Sequence, residues 1–436
     1  MAGKIAVISD HASPLAIAGG NDSGGQNIYV ASIARHLHAM GYKVDVFTRR
    51  DNPSLPDVVE LKKGLRIVHV RAGPADVLRK ESMLPVMPEF IARMAEFCAA
   101  NGSYDLVHAN FFMSGLVAVR LRQRLGIPFV ITFHALGRVR RLHQRDADQF
   151  PDERIDIEDR TVEHASAIIA ECPQDCVDLI SLYGADREKI RIIPCGFDAR
   201  EFWPVRRSFA RRLLGFGKDE RIVLHVGRIV PRKGVDNLIR ALGCLARATG
   251  IKPRLVVVGG NSDAPDCAAT PEFARLQEIA HAEGVHDRIL FTGRRSREVL
   301  KLYYSAADVF VTTPWYEPFG ITPLEAMACG TAVVGSAVGG IKHSVVHGAT
   351  GYLVAPNDPD ALAGRLAHLY RNPALLSKFG QAGMRRVHAH FTWEEIARSM
   401  AKVYEEVAPA RVAALTERKH VAAPRLYRQP SGIPAR

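Results

Sequence analysis

Two glutamates that flank a proline-containing turn are the strongest chemical signal in the sequence. Residues 315–354 read WYEPFGITPLEAMACGTAVVGSAVGGIKHSVVHGATGYLV, and Glu317 and Glu325 bracket the stretch PFGITPL. We predict that a helix begins near Pro323, with Glu317 before it at the end of a strand and Glu325 in its first turn. The backbone amides that precede the helix would then point at an anion, favourably aligned with the helix dipole. These amides belong to Phe319, Gly320, Ile321 and Thr322.

Two cations lie upstream, in the segment VGRIVPRKGVDNLIRAL at residues 226–242. Arg228 ends a predicted strand, and Lys233 follows in a loop that contains proline, just before a predicted helix. Two fixed positive charges are thereby placed where a diphosphate could bind. Surface cations commonly have no ligand, and a Glu325 that merely complements the helix dipole is the structural alternative for the acidic loop. The combination of both segments favours a binding site.

A glycine-rich loop near the N-terminus predicts a further anion-binding element. Residues 19–41 read GGNDSGGQNIYVASIARHLHAMG, and they join the predicted strand KIAVIS to an amphipathic helical pattern. Glycine allows close approach of the backbone to a phosphate, and helix N-terminal amides point toward the anion. Because the spacing is not G-x-G-x-x-G and no Walker lysine follows, the loop predicts a phosphate without identifying its carrier.

Short apolar strands alternate with helix-length segments along the chain, which predicts parallel sheets covered on both faces. The predicted strands are 4–9, 42–50, 64–70, 104–110, 128–135, 166–172 and 189–198, followed by 221–228, 254–260, 288–294, 308–314 and 331–336. We therefore predict an α/β protein with two doubly wound domains, 1–203 and 204–388, whose ligands bind beyond the carboxyl ends of the strands. A C-terminal helix at 389–408 would return to the first domain, and 409–436 would form a flexible basic tail.

Length and composition agree with a two-domain globular protein, since the chain has 436 residues, 47% of them hydrophobic and 24% charged. The formal net charge of +12 suits an anionic substrate, nucleic acid or a weak peripheral contact with an anionic membrane surface.

The seven cysteines show no paired short spacing, and Cys172 and Cys176 have no second pair, which argues against disulfides and zinc. With no signal peptide or membrane span in the pattern, we expect a reduced, cytoplasmic location.

Three patterns taken together resemble a known family. E-P-F-G-x-x-x-x-E is followed by G-G-x-x-x-x-V-x-x-G-x-x-G-x-L-V, and G-R-x-x-x-x-K-G lies upstream. This arrangement, over about residues 3–407, resembles the retaining glycosyltransferases of family 4, which have the GT-B fold. GGNDSGGQNIYV with HALGR is similar to the sucrose-phosphate synthase and sucrose synthase branch. HASP, RAGPADVLRKESMLP and RIIPCGFD resemble the D-inositol-3-phosphate glycosyltransferase branch of mycothiol synthesis.

The resemblance implies two Rossmann-like domains that face each other across a cleft, and catalytic roles for four residues. Arg228 and Lys233 match the cations that hold the nucleotide diphosphate, and Glu317 matches the glutamate beside the donor sugar. His134 matches the histidine that reaches this sugar from the N-terminal domain. On the donor side the resemblance also implies the loop at Gly24 and Gly25, the backbone at Arg294 near the base, the amides of 319–322, and Glu325 at the ribose hydroxyls.

For the acceptor, the resemblance implies contacts from His11, Asp22, Asn27, Lys80 and Arg154. Lys80 and Arg154 match the cations that bind the acceptor phosphate in the inositol-phosphate branch. Phe111 and Ala135 stand where that branch has hydroxyl side chains, and the sucrose-phosphate synthases have serine at the position of Ala135. The two missing hydrogen bonds leave either an anionic acceptor, held by cations and apolar contact, or a neutral sugar.

The implied activity is a metal-independent transfer, with retention, of a glucose- or N-acetylglucosamine-type hexose from a nucleotide sugar, most simply UDP-linked. The acceptor would be a hydroxyl of a sugar or sugar phosphate, and no nucleic acid would take part. The sequence contains no Asp-x-Asp metal motif, and the resemblance implies no cofactor besides the nucleotide-sugar co-substrate. Two alternatives stay open: a nucleotide-sugar-binding regulator without turnover, and a GT-B sugar-nucleotide epimerase.

Overall fold

Runs of apolar residues form the strands of two separate sheets in the computed structural model, which describes residues 3–15 and 24–408. The strands of the first sheet are β1 (Lys4–Ile8), β2 (Lys43–Arg49), β3 (Val58–Lys62), β4 (Leu65–Val70), β5 (Leu106–Asn110), β6 (Phe129–Thr132), β7 (Ala167–Ala170) and β8 (Ile190–Ile192). Their order is β3-β4-β2-β1-β5-β6-β7-β8. Neighbouring strands are parallel, except that β3 runs antiparallel to β4.

The second sheet is parallel throughout its described strands. They are β9 (Ile222–Val226), β10 (Arg254–Val258), β11 (Ile289–Gly293), β12 (Val309–Thr312), β13 (Ala332–Ser336) and β14 (Gly351–Val354), in the order β11-β10-β9-β12-β13-β14. In both sheets the strand order reverses beside the first strand of the series, so each half has a switch point at its carboxyl edge.

Helices connect the strands and cover both sheets. They are α1 (Gly25–Ala39), α2 (Met87–Asn101), α3 (Phe112–Leu125), α4 (Gly137–Gln144), α5 (Glu153–His164), α6 (Pro173–Tyr183), α7 (Arg207–Leu214), α8 (Val235–Thr249), α9 (Glu272–Ala282), α10 (Arg297–Ala306), α11 (Thr322–Ala328), α12 (Ile341–Ser344), α13 (Pro359–Arg371), α14 (Pro373–His390) and α15 (Trp393–Val407). Short 3₁₀ turns lie at Lys80–Ser82, Leu84–Val86, Arg145–Ala147, Arg187–Lys189, Pro231–Lys233 and His286–Arg288.

Each predicted strand overlaps a strand of the structure, and the predicted α/β class is confirmed. Two strands were not predicted. The edge strand β3 is largely exposed, so its sequence VVELK lacks the continuous apolar run of a buried parallel strand. The four-residue strand β14 lies within the motif at residues 315–354, after the last predicted strand at 331–336.

The last helix returns to the first sheet. The Trp393 ring packs edge-on against Tyr29 of α1 at 5.7 Å, and the Tyr404 hydroxyl lies 2.6 Å from Nδ1 of His108 on β5. The backbone amide of Phe197 donates to the carbonyl of Phe391 over 2.9 Å. The chain therefore crosses between the halves twice, between β8 and α7 and between α14 and α15. The predicted tail at 409–436 lies outside the described residues.

Candidate active site in the cleft between the two sheets

The carboxyl ends of strands from both sheets open into one cavity of about 570 Å³. One wall follows β1, β5, β6 and β7, and the other follows β9, β10, β11 and β12. Parallel strands bring their carboxyl ends to one edge, so residues distant in sequence meet here. The predicted site residues that line the cavity are His11, Gly24, Gly25, Asn27, Lys80, His134, Arg228, Lys233, Arg294, Glu317, Phe319, Gly320, Ile321, Thr322 and Glu325. Asp22 lies outside the described residues.

Lys233 and Glu317 form an ion pair on the wall of the second sheet. The ammonium of Lys233 donates to Oε2 of Glu317, and Nη1 of Arg232 is 3.7 Å from the same oxygen. Burial lowers the pKa of Lys233, while the charge of Glu317 opposes that effect. Burial alone would raise the pKa of Glu317, but the charges of Lys233 and Arg232 outweigh it and the pKa is lowered. Glu317 therefore orients a cation toward the cleft.

Two glycines explain how the cationic and acidic loops come so close. Gly234 has φ of +67°, and a Cβ at this position would lie 1.9 Å from the carbonyl oxygen of Thr313. Gly339 has φ of +42°, and its Cβ would lie 1.8 Å from the carbonyl oxygen of Glu317. A side chain at Gly234 would push the Lys233 loop away from the end of β12, and one at Gly339 would displace the backbone of Glu317, so both glycines help to seat Lys233 beside Glu317.

Glu325 lies in the first turn of α11, as predicted, with a side chain that is 2% exposed. Its Oε1 is 3.0 Å from Nη1 of Arg297, and its Oε2 accepts from the Tyr304 hydroxyl over 2.8 Å. Each carboxylate oxygen can accept more than one hydrogen bond, so Glu325 keeps capacity for a hydroxyl ligand. Sequence reasoning missed Arg297, because the run RRSR offers three arginines and no signal of which one has a carboxylate partner.

His134 lies just after β6 with φ of +58°, a backbone conformation that is uncommon outside glycine. Its Nδ1 is 3.0 Å from Oε1 of Glu171, and its Nε2 is 3.0 Å from Oδ1 of Asn110. The edge of the Tyr29 ring packs against the imidazole at 4.8 Å between centroids. Glu171 and Asn110 were not predicted as site residues, although both stand as polar groups near the carboxyl ends of predicted strands.

The N-terminal glycine loop faces the acidic loop of the second half. The amide of Gly24 donates to Oδ1 of Asn27 over 2.9 Å, and Nδ2 of Asn27 donates to the carbonyl of Ser13 over 2.9 Å. A Cβ at Gly25 would lie 3.6 Å from Cδ1 of Ile321, across the cleft. The two glycine-containing loops predicted to bind an anion therefore approach each other at the same end of the cavity.

Arg154 does not reach the cavity. Its side chain is 1% exposed, and its guanidinium is enclosed by the rings of Phe111, Phe112 and Phe150 at 4.9, 4.8 and 4.6 Å. Phe111 itself lines the cavity, so this ring separates Arg154 from the cleft. Within the described residues Nη1 of Arg154 has no hydrogen-bond partner.

The buried Arg154 instead holds the loop that carries His134. Its Nη2 donates to the carbonyl of Ala135 over 2.5 Å, and its Nε donates to Oε1 of Glu158 over 2.8 Å. Glu158 also accepts from the amide of Gly137 at 3.1 and 2.9 Å and from the Tyr183 hydroxyl. This network fixes the backbone of the HALGR segment from beneath.

Arg140 is a cation that lines the same cavity as Lys80. Arg140 of α4 lines the cavity, and its Nε donates to Oδ1 of Asp148 over 2.7 Å. The guanidinium lies over the Phe150 ring at 4.9 Å, and its two Nη atoms make no hydrogen bond to the described part of the chain. Sequence reasoning missed Arg140, because the run RVRRL offers several arginines and no spacing that separates them.

Metal-ligating clusters and membrane-spanning helices can be assessed for residues 3–15 and 24–408. In that part of the chain, no group of three or more His, Cys, Asp and Glu side chains is arranged to hold a metal ion. Nor does any helix there have the length and apolar character that crossing a membrane requires.

Comparison with known proteins gives matches over both halves. The model described as Glycosyltransferase Family 4 matches residues 23–201, and the model described as Glycosyl transferases group 1 matches residues 207–386. The chain is 35% identical to D-inositol 3-phosphate glycosyltransferase from Thermobispora bispora over 410 residues, which covers 92% of this chain and 94% of that protein. It is 37% identical to the Actinosynnema mirum protein of the same name over 409 residues, which covers 92% of this chain and 96% of that protein.

Solved structures of the same fold agree with these matches. Sucrose-phosphate synthase from Thermosynechococcus elongatus superposes with a TM-score of 0.86 and 36% identity, covering 94% of this chain and 100% of that chain. Anabaena HepE, solved in complex with UDP and glucose, superposes with a TM-score of 0.73 at 20% identity, covering 93% of this chain and 100% of that chain.

Proposed function

This chain belongs to glycosyltransferase family 4 and has the GT-B fold, and on that premise we propose that it moves a hexose from a nucleotide diphosphate sugar to a sugar or sugar-phosphate hydroxyl with retention. One observation carries the proposal. Arg228, Lys233 and Glu325 line one wall of a single cavity, and His134 with the Gly24–Gly25 loop lines the opposite wall. The cavity thus offers a donor site on one side and the sugar-contacting histidine on the other.

The donor chemistry proposed here rests on the cations of the second half. Arg228 and Lys233 would stabilise the charge that grows on the leaving diphosphate, and preorganised groups of this kind commonly supply most of the rate enhancement of an enzyme. The bond from the anomeric carbon to the phosphate oxygen breaks while the acceptor oxygen bonds to the same face of that carbon. The leaving phosphate oxygen takes the acceptor proton. We propose that protein cations make a divalent metal ion unnecessary.

For the acceptor, we propose an anionic sugar or cyclitol. Lys80 and Arg140 both line the cavity, and a guanidinium held through Nε would present its two Nη groups side by side to an oxyanion. The names of the relatives, D-inositol 3-phosphate glycosyltransferase and sucrose-phosphate synthase, both refer to phosphorylated compounds. Phe111 adds an apolar contact in place of a hydroxyl.

The test is a product screen. Purified protein is incubated with UDP-glucose, UDP-N-acetylglucosamine or another nucleotide sugar, together with a sugar phosphate, an inositol phosphate or a free sugar, and the products are identified by mass spectrometry. We expect a glycosylated phosphate-bearing acceptor and free nucleotide diphosphate. Free epimerised donor would favour the epimerase alternative, and binding without any product would favour a regulator.

We also propose a cytoplasmic location. All seven cysteines, including the buried Cys172, Cys176 and Cys195, are free thiols. Free cysteines are typical of a reducing compartment. Fractionation of cells that produce the protein, with activity assayed in each fraction, would test this location.

A further inference from the structure

We infer that Glu171 is a positioning residue for the transfer reaction, because it holds the imidazole of His134 as a hydrogen-bond donor at both ring nitrogens. The inference rests on the proposed function for the place of His134 beside the donor sugar. His134 and Glu171 line the active-site cavity and also a second cavity of about 310 Å³ on their other side. The pair therefore forms a wall between two open spaces, where an unanchored ring could turn away.

The hydrogen bonds of Asn110 fix its role. Its Nδ2 donates to the carbonyls of Ile8 over 3.2 Å and His108 over 3.4 Å, both within the buried sheet. Its Oδ1 is therefore the atom that faces Nε2 of His134 at 3.0 Å. Because a carbonyl oxygen can only accept, Nε2 must carry the hydrogen.

Glu171 sets the other ring nitrogen. Its Oε1 lies 3.0 Å from Nδ1 of His134 and also accepts from the Cys195 thiol over 3.1 Å. Because a carboxylate oxygen can only accept, Nδ1 must carry a hydrogen as well. His134 is thus a donor at both nitrogens, and the negative charge of Glu171 balances the ring.

Other ionisable groups near the pair leave this balance to Glu171. Burial lowers the pKa of His108 to about 3, with a smaller contribution from His134, so His108 stays neutral. Burial, and then the charge of Glu171, raise the pKa of Asp175 and of the Cys195 thiol. Tyr29 of α1 packs against the His134 ring, and the second cavity, which the pair lines, is also lined by the ionisable groups His143, Asp178, Tyr316, Glu317 and Lys342.

Loss of the Glu171 charge should affect turnover more than nucleotide binding. When the donor sugar is bound, the Nε2–H group of His134 can exchange Asn110 for a sugar oxygen, while Nδ1–H stays on Glu171. The nucleotide contacts lie on the opposite wall, at Arg228 and Lys233. Removing the charge of Glu171 should therefore lower kcat by about 10- to 100-fold, the loss that is typical when the partner that orients a metal-bound histidine is removed. Nucleotide affinity should stay nearly unchanged.

The experiment compares Glu171→Gln with Asp178→Asn. Both are carboxylate-to-amide changes on the β7–α6 segment, but Asp178 lines only the second cavity. We expect kcat to fall at least tenfold in Glu171→Gln, with the Kd for UDP within twofold of wild type, and to stay within twofold in Asp178→Asn. Glu171→Asp, which keeps the charge, should recover part of kcat.

Imidazole ¹⁵N shifts of histidine-labelled protein supply the readout that a merely structural role would not move. The His134 signals are assigned by their loss in His134→Gln. We expect two protonated nitrogens in the wild type and one in Glu171→Gln. An unprotonated His134 nitrogen in the wild type, or an unchanged kcat in Glu171→Gln, would overturn the inference. Absence of sugar transfer by the wild type would refute the proposed function instead, and the ¹⁵N result would still decide the hydrogen bonds.

Discussion

Replacing Arg154 with leucine separates two opposite interpretations of this residue. The resemblance implies that Arg154 binds the acceptor anion. On that interpretation Arg154→Leu has an increased acceptor KM and the stability of the wild type. The structure places the guanidinium behind the Phe111 ring, where it holds Glu158 and the carbonyl of Ala135. On this geometry the main effect of Arg154→Leu is on folding.

The magnitude follows from the burial of the pair, since the side chains of Arg154 and Glu158 are 1% and 0% exposed. Removing one partner of a buried ion pair commonly costs about 3–5 kcal/mol. Glu158 keeps the amide of Gly137 and the Tyr183 hydroxyl as donors, so we expect the lower end, about 3 kcal/mol. For a domain of this size that loss lowers the unfolding midpoint by about 6–12 °C.

Arg140→Leu is the matched control, because Arg140 lines the cavity and its side chain is 19% exposed. We expect it to raise the acceptor KM and to lower the unfolding midpoint by less than Arg154→Leu does, because Arg140 is partly exposed whereas Arg154 is buried. The assay combines thermal unfolding, followed by circular dichroism, with steady-state kinetics in both substrates. If Arg154→Leu unfolds at the wild-type temperature and raises the acceptor KM at least tenfold, the structural interpretation is refuted.

Four further predictions concern the cleft. Lys233→Ala should weaken UDP binding in calorimetry and reduce turnover by about 10²–10³, as is common when one charge-stabilising group is lost; unchanged kinetics would refute the donor-site assignment. Lys80→Ala should raise the acceptor KM while the Kd for UDP stays near the wild-type value. The wild-type protein should stay active in EDTA. A loss of activity that only Mg²⁺ or Mn²⁺ restores would show that a metal is required. Gly234→Ala should weaken UDP binding and lower the free energy of unfolding by more than about 1 kcal/mol, because the new Cβ would meet the Thr313 carbonyl. Gly250→Ala is the control, since Gly250 has φ of +70° but no neighbouring atom within 4 Å of the new Cβ. This variant should leave UDP binding intact.

The wall of the cavity that we propose binds the donor could be predicted from sequence because its parts are local. Arg228 and Lys233 lie within one strand–loop–helix segment, and Glu317 and Glu325 lie within another. The strands before both segments are buried on both faces, so they appear as continuous apolar runs. Once these strands are placed in parallel sheets, the residues that follow them must meet at the carboxyl edge, whatever the details of packing.

The surroundings of Arg154 and Arg140, which bear on the proposed acceptor site, depend on packing that no local pattern encodes. The buried stripe of α5 consists of Arg154, Glu158, Thr161 and Val162, so charged residues occupy helical positions where apolar ones are expected inside. From sequence, Arg154 therefore reads as an exposed cation, and Arg140 reads as one arginine among several.

The sequence by itself determined the α/β class, most of the strands and the donor motifs, because buried parallel strands and short glycine-containing loops leave local patterns. Only the tertiary structure decided which cation faces the cleft, that Glu171 and Asn110 hold His134, and that Arg297 pairs with Glu325. These contacts join segments far apart in the chain. Their geometry depends on how helices and loops pack against the sheets, and a hydropathy pattern carries no information about which polar side chains that packing brings together.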